Sequence, residues 1–515
     1  MFYDFIDNRL SPTLVRDIRQ LVRNRFITVM LNLYVLILTL GTLMTITMQS
    51  ARTQLEGTGS GLYAFDLIFF FIFTFIVVNL YTAVIMSQER ITNDLMFTTT
   101  IPPSGFVFGK LSGALVLTGL LFCVTLPFIT IAYMLRGIDL GTILQSCVLV
   151  WLMLLLSLSM TILVFSRVKT YVMMIGLLIL YAILCWMGVF GFLGMLIRFT
   201  GLWGMGGMGG WLSGGWWELA LTGVLVILTV LVILSAATSR VASINTNRIM
   251  PFRITYTLVL LLTLGGAFLL AIYSGSGSLL IGGPILGNPI LGNPTLRDLP
   301  AVMVFFHYFF FLGLIVISTC GRDTWGPRIK HSIPKNLLLR CLLFPFYSGA
   351  INGIIWLIGI AGVLVVYFFG AAAVYSSGRI ANDPEAVREV LKYAGTWALM
   401  TYAFCTLAMM IRIKLLRRQL GPENTWLLAI ALIGAFYTVY YMIRILLTDY
   451  RTNFDFYIEP DTIERTLLIA GLWAMLATVL FVPWALRQLP KFTPEPPQSM
   501  ESKEPNAMPN DITSR

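Results

Sequence analysis

The sequence predicts an all-α polytopic membrane protein, on three observations. Of its 515 residues, 57% are hydrophobic and only 11% are charged, against about 25% charged in soluble domains. Mean hydropathy is +0.84 over the whole chain, too high for a water-soluble globule with an apolar core. Apolar runs of about 18 residues or more recur from end to end, each able to cross a hydrocarbon core of about 30 Å. Twelve spans are expected, at 26–48, 62–86, 111–134, 140–165, 170–197, 217–238, 254–273, 301–320, 350–376, 394–415, 425–447 and 466–486.

The basic residues orient these spans. Of 35 Lys and Arg, 25 fall in one alternating set of connecting segments, which includes both ends of the chain, and 9 in the other; Arg444 lies within a span. Lys and Arg mark the cytoplasmic side, so both termini are expected inside, with the chain in the cytoplasmic membrane. The net charge of +11 then records topology and does not speak for nucleic acid. The organisation expected is a cytoplasmic amphipathic helix over 1–25, a first six-span half over 26–248, a second over 249–487, and a tail over 488–515. That tail is rich in Pro, Glu, Ser and Asn, a composition of disordered segments.

Near the N-terminus, Ser11 can cap a helix whose first position is Pro12. Arg16, Arg19 and Arg23 follow at spacings of three and four and share a face, while Leu14, Ile18, Leu21 and Val22 line another. A basic amphipathic helix of this kind lies flat on the inner leaflet. The next informative segment is the cytoplasmic link between spans two and three, Ser87 to Lys110. It opens Gln88-Glu89-Arg90, continues through Asp94, Leu95 and Thr98-Thr99-Thr100-Ile101-Pro102-Pro103, and closes on Gly109-Lys110. Ile91 and Leu95 share a helix face, and Pro102-Pro103 ends any helix there. A short helix tied to two spans suits the transfer of force from a soluble partner; an ordinary interfacial loop helix has the same pattern.

This link resembles that of permease subunits of type-2 ATP-binding-cassette exporters. Their pattern runs roughly E-R-E-x-G-T-L-x-x-L-L-x-T-P-x-x-P/S and ends in G-K. The chain matches at Glu89, Arg90, Leu95, the 99–103 stretch and Gly109-Lys110, and departs at Ile91 and Asn93. The stretch Ser11-Pro12 through Leu21 is similar to the N-terminal interfacial helix of those permeases. The likeness covers about the first 135 residues, and the six-span pattern to about 250 agrees with it. It implies that 88–104 is a coupling helix docked on a cytoplasmic ATPase subunit, which would bind the ATP and Mg. Glu89, Arg90, Asp94, Leu95 and Pro102 are then the coupling candidates. A homodimer or a second permease subunit is a further possible partner.

The link after span eight sits at the equivalent place in the second half. Displaced by 232 positions, Arg90, Thr92, Ile101 and Pro102 fall on Arg322, Thr324, Ile333 and Pro334. Internal repeats are common in transporters, so Arg322, Asp323 and Pro334 join the coupling candidates. Gly321 stands where the first link has Glu89, so docking at the two links would be unequal. An unrelated second membrane domain is the alternative.

Polar residues inside or at the edge of spans are Asn32, Asp66, Asn79, Gln145, Glu218, Asn352 and Arg444. Asp66, Glu218 and Arg444 lie near outer span ends, where snorkelling reaches water; the amides are expected to bond across helices. The outer loops are short. The tandem Ile-Leu-Gly-Asn-Pro repeat at 285–294 reads as a compact turn-rich loop. The Gly- and Trp-rich segment 201–217 reads as an interfacial loop.

Absences narrow the chemistry. There is no G-x-x-x-x-G-K-[ST], so ATP hydrolysis by that route belongs to another subunit. There is no H-E-x-x-H, and six dispersed Cys with two His imply neither a zinc site nor a disulfide framework. The first outer loop carries only Glu56, against a lipid-linked glycosyltransferase. No soluble stretch of about 100 residues is available to house chemistry. An exporter permease leads; a twelve-span ion-coupled transporter and a membrane-embedded enzyme stand behind it. The substrate, whether lipid, glycan, peptide, drug or ion, is open.

Overall fold

The computed structural model describes residues 12–50, 59–92, 102–135, 137–166, 172–177, 216–242, 246–273, 311–319, 325–374, 384–416, 424–447 and 460–494, with a few isolated positions between them. Among the described residues the secondary structure is helical and no strand occurs. The helices are α1 (Pro12–Arg23), α2 (Arg25–Ser50), α3 (Gly59–Thr92), α4 (Pro103–Met134), α5 (Leu140–Phe165), α6 (Trp216–Val241) and α7 (Met250–Tyr273). They continue as α8 (Pro327–His331), α9 (Leu337–Leu343), α10 (Ala350–Val374), α11 (Pro384–Lys414), α12 (Thr425–Leu447) and α13 (Pro460–Gln488).

The chain is a multi-pass membrane protein by the length and composition of its helices. Among the described residues, seven helices are long and apolar enough to cross a bilayer, on α2 to α7 and α13. Leu337–Phe346 and Ala350–Leu364 meet at 86° and make an eighth if they form one broken span. The expected span at 170–197 lies largely outside the described residues, and that at 301–320 lies half within them. Leu468, Leu472, Met475, Val479 and Val482 are exposed along α13, a row that water would penalise and lipid accepts.

Two compact units divide the chain. The first comprises Met1–Ser243 and Ile254–Met303, the second Ile244–Arg253 and Val304–Arg515. In the first unit α3 is central and packs against α2, α4 and α5. Aromatic rings fill the contact: Tyr34 of α2 lies 5.4 Å from Phe69 and 4.7 Å from Phe73 of α3. Its hydroxyl meets the Thr125 hydroxyl of α4 at 2.6 Å. Asn79 of α3 donates to Ser157 Oγ and accepts from Thr161 Oγ1, both on α5 and both at 2.7 Å. An amide in hydrocarbon needs such partners, and this one joins α3 to α5 as the sequence suggested.

In the second unit α11 packs against α10, α12 and α13. Ala403, Leu407, Ala474 and Ala477 form the seam of α11 with α13, where small side chains let backbones approach. Asn352 of α10 accepts from Trp325 Nε1 at 3.1 Å and donates to Phe344 O at 2.6 Å. Phe492, beyond the end of α13, packs its ring against Trp325, Phe344 and Tyr347. Gly353 of α10 is a close approach: a Cβ there would lie 2.4 Å from Thr319 O and 2.8 Å from Thr319 Cα. Gly359 of the same helix has open space. Gly353→Ala is therefore expected to lower the unfolding midpoint through overpacking of about 1–3 kcal/mol. Gly359→Ala is expected to leave it unchanged or slightly raised in the same thermal assay.

Candidate functional site

Four charged side chains meet where α1, the end of α3 and the start of α4 come together. Lys110 is the centre. Its side chain is 4% exposed, and its ammonium donates to Asp17 Oδ1 at 2.9 Å, Asp17 Oδ2 at 2.8 Å and Glu89 Oε1 at 2.7 Å. Its three N–H bonds are thereby all used. Arg16 closes the group from the solvent side, donating to the same Glu89 oxygen at 2.5 Å. Two positive and two negative charges balance, the condition under which ions tolerate burial.

Local sequence accounts for the geometry. At 3.6 residues per turn, Asp17 falls roughly 40° from Leu21 and roughly 60° from Leu14, on the apolar side of α1. Asp17 is buried, while Arg16, Arg19 and Arg23 are exposed on the opposite side. Gly109 and Gly113 are buried on α4 beside Lys110, and Gly113 is one turn along from Gly109. A Cβ at Gly113 would already touch Asp17 Cβ at 3.6 Å, so the small residue lets α1 lie close. Pro102 and Pro103 start α4: Pro102 is its N-cap residue and Pro103 is its first position, where a missing N–H costs nothing. Lys110 thus enters two turns after a fixed helix start, and its ammonium also lies 5.6 Å from the Phe106 ring centre.

Of the coupling candidates, Glu89 is drawn into this cluster and is half-buried. Its Oε1 is the shared acceptor; its Oε2 is buried without a hydrogen bond among the described residues. Pro102 is exposed at the head of α4. Arg90 is on the helical end of α3, and its side chain is outside the described set; Asp94 and Leu95, like Arg322 and Asp323, lie outside the described residues. Pro334 is half-buried and its carbonyl accepts from Arg340 Nε at 3.4 Å. The side chains of Glu218 and Arg444 are likewise outside the described set, and Asn32 is exposed.

The sequence reading does not pair Lys110 with Glu89, nor Asp17 with Lys110. The signal for Asp17 was present: an acid in the middle of an apolar face requires a cation from elsewhere. Lys110 was visible as the end of the motif, but its partner across 93 positions was not.

The second unit holds a different buried cation. Arg253, at the start of α7, is fully buried. It donates to Pro345 O and Tyr347 O at 2.7 Å and to Ser318 O at 2.6 Å, and lies 5.6 Å from the Trp356 ring centre. Nearby, Asn247 Oδ1 accepts from Ser348 N at 2.8 Å. One guanidinium therefore joins the helical stretch 311–319 to the turn before α10.

No group of three or more potential metal ligands occurs among the described residues. Compared with protein-family models, curated proteins and solved structures, the chain matches none. What the site does is argued from its own side chains.

Proposed function

We propose that this chain is the membrane-spanning permease subunit of an ATP-driven exporter in the cytoplasmic membrane, worked by a separate ATPase that binds the ATP and Mg. The observation that carries the reading is the four-charge cluster. The link following Glu89 resembles a coupling helix, and Glu89 itself is bonded to Lys110 on α4 and Arg16 on α1. A push on the link is then delivered to α3, α4 and the surface helix α1 together. Twelve spans in two six-span halves, with both termini cytoplasmic, complete the reading. The second link, 321–340, is the other docking segment.

The roles divide by exposure. Arg90, Asp94 and Leu95 are the docking residues of the link. Glu89, held by Lys110, transmits and does not dock. The test is purification of the full chain from its native membrane in mild detergent. An ATPase subunit is expected in stoichiometric amount. Arg90→Ala with Asp94→Ala is expected to reduce the bound ATPase at least tenfold. Glu89→Gln is expected to retain the ATPase and to lose substrate-stimulated hydrolysis. Extracts that never contain an ATPase, with transport unaffected by Glu89→Ala and Arg90→Ala, overturn the proposal.

A second reading, an ion-coupled transporter, is favoured by one observation. It needs an ionisable acid buried within the membrane, and Asp66 of α3 is fully buried. Transport that survives ATP depletion and stops with an uncoupler would select it.

A further inference from the structure

Asp66 sits two turns from the Gly59 end of α3, in a bundle interior where ionised groups are costly. Its side chain is 0% exposed, and neither carboxyl oxygen has a hydrogen-bond partner among the described residues. Helical spacing puts it on the face of Tyr63 and Phe70, three residues before and four after. Those neighbours offer it nothing. The Tyr63 hydroxyl is engaged by Ser146 of α5 and reaches Ile143 O at 3.3 Å. Phe70 packs its ring 5.4 Å from Phe122 of α4. Tyr34 of α2 packs on Phe69 and Phe73 of α3, and its hydroxyl is spent on Thr125.

Among the described residues, the titratable groups that the packed helices bring to this end are Tyr34 from α2, Tyr63 from α3 itself, Cys147 from α5 and Asp139 at the N-cap of α5, which accepts from Gly141 N; α4 brings the neutral Thr125. The charged residues of those helices are at the far end. Arg25 begins α2, Lys110 is committed to Asp17 and Glu89, and α5 carries no charged residue. Asp66 and Glu89 are 23 positions apart on one helix, about 35 Å at 1.5 Å per residue. No cation on these helices is therefore placed to compensate a carboxylate at Asp66. An isolated carboxylate in such surroundings costs far more than the neutral acid.

We propose that Asp66 is a proton-binding site of the first unit: the closed bundle holds it as the carboxylic acid, and it exchanges its proton with water at the Gly59 end of α3 when those helix ends part. The step is balanced by water alone. Opening breaks the O–H bond and gives the proton to the entering water; closing takes one proton back. Each opening of that end thus releases one proton per chain, and each closing binds one. The site is independent of the energy source: an ATP-driven exporter with this acid has a proton-dependent step, and an ion-coupled transporter has its coupling site.

The experiment is infrared spectroscopy of the full chain reconstituted in phospholipid bilayers, as the difference between wild type and Asp66→Asn. The amide is nearly isosteric with the acid. The expected result at neutral pH is one carboxylic C=O absorption per chain that is missing in Asp66→Asn and moves to lower frequency in deuterated water. In Asp66→Glu the band is expected to persist at a shifted frequency. If Asp66→Asn does not fold, wild type labelled with carbon-13 at its aspartate carboxyls gives the same readout alone. A carboxylate band at neutral pH, with the acid form appearing only below about pH 4 as for an exposed aspartate, overturns the proposal. Loss of the acid band on adding sodium or potassium at constant pH also overturns it, by making the site one for a metal cation.

Discussion

Lys110→Ala is expected to release α1 from the first unit. The substitution leaves the buried Asp17 and the half-buried Glu89 close together and without the ammonium that now serves three of their oxygens. Removing one partner of a buried ion pair costs about 3–5 kcal/mol, because the other charge stays buried and unpaired. Arg16 cannot replace it: its guanidinium is on the exposed side, 2.5 Å from Glu89 but 3.5 Å from Asp17. The measurements are thermal unfolding of the detergent-solubilised chain and hydrogen exchange of residues 12–23. The midpoint is expected to fall, and protection of α1 to be lost before that of α3. Combining Lys110→Met with Asp17→Asn and Glu89→Gln removes all the buried charge and is expected to recover most of the stability. If Lys110→Ala unfolds at the wild-type temperature, the cluster contributes nothing to the fold. The neutralised triple variant separates stability from transmission. It is expected to fold, to bind the proposed ATPase through the link, and to transmit poorly, because nothing charged then joins α1, α3 and α4.

The helices were legible where a span's chemistry is local. A run of about 20 apolar residues must be helical in lipid, since every backbone group needs a partner within its own segment. The expected segments 26–48, 62–86, 111–134 and 140–165 accordingly fall inside α2, α3, α4 and α5. Proline is less completely legible: Pro102-Pro103, expected to end a helix, starts α4. Asn79 and Asn352 were recognisable as amides in hydrocarbon, and both bond across the chain. The long-range pairings were not legible. Lys110 and Asp17 are 93 positions apart, and helix periodicity says which face a residue occupies, not which face it meets. Asp66 shows the same limit from the other side. Its two turns from a span end suggest snorkelling to water, yet the side chain has no exposed surface.

Arg253→Ala is expected to have the largest effect in the second unit, through the backbone carbonyls that its guanidinium serves. The guanidinium of Arg253 serves the carbonyls of Ser318, Pro345 and Tyr347. Two of those carbonyls, of Pro345 and Tyr347, lie in the turn before α10, where backbone acceptors lack the donors of a continuous helix. Truncation leaves them buried without a donor, at roughly 1–3 kcal/mol for each so stranded, and opens the space beside Trp356. Arg253→Lys keeps the charge but presents a compact ammonium in place of a planar fork. Its donors cannot serve carbonyls from both sides while its stem replaces the flat group over the indole, so it is expected to recover only part of the loss. Arg253→Met fills volume without donors and is expected to resemble Ala more than Lys. That ranking separates the roles: were packing on Trp356 dominant, Met would outperform Lys. Cys405 supplies the readout. It is buried, and Thr319 Oγ1 reaches its sulfur at 3.4 Å, one residue from the Ser318 carbonyl that Arg253 holds. Alkylation of Cys405 during a temperature ramp, followed by peptide mass spectrometry, is expected to begin earliest in Arg253→Ala, next in Met, then in Lys, and last in wild type. Cys405 protection unchanged in Arg253→Ala would mean that the three carbonyls find other donors, and that the guanidinium does not hold this corner together.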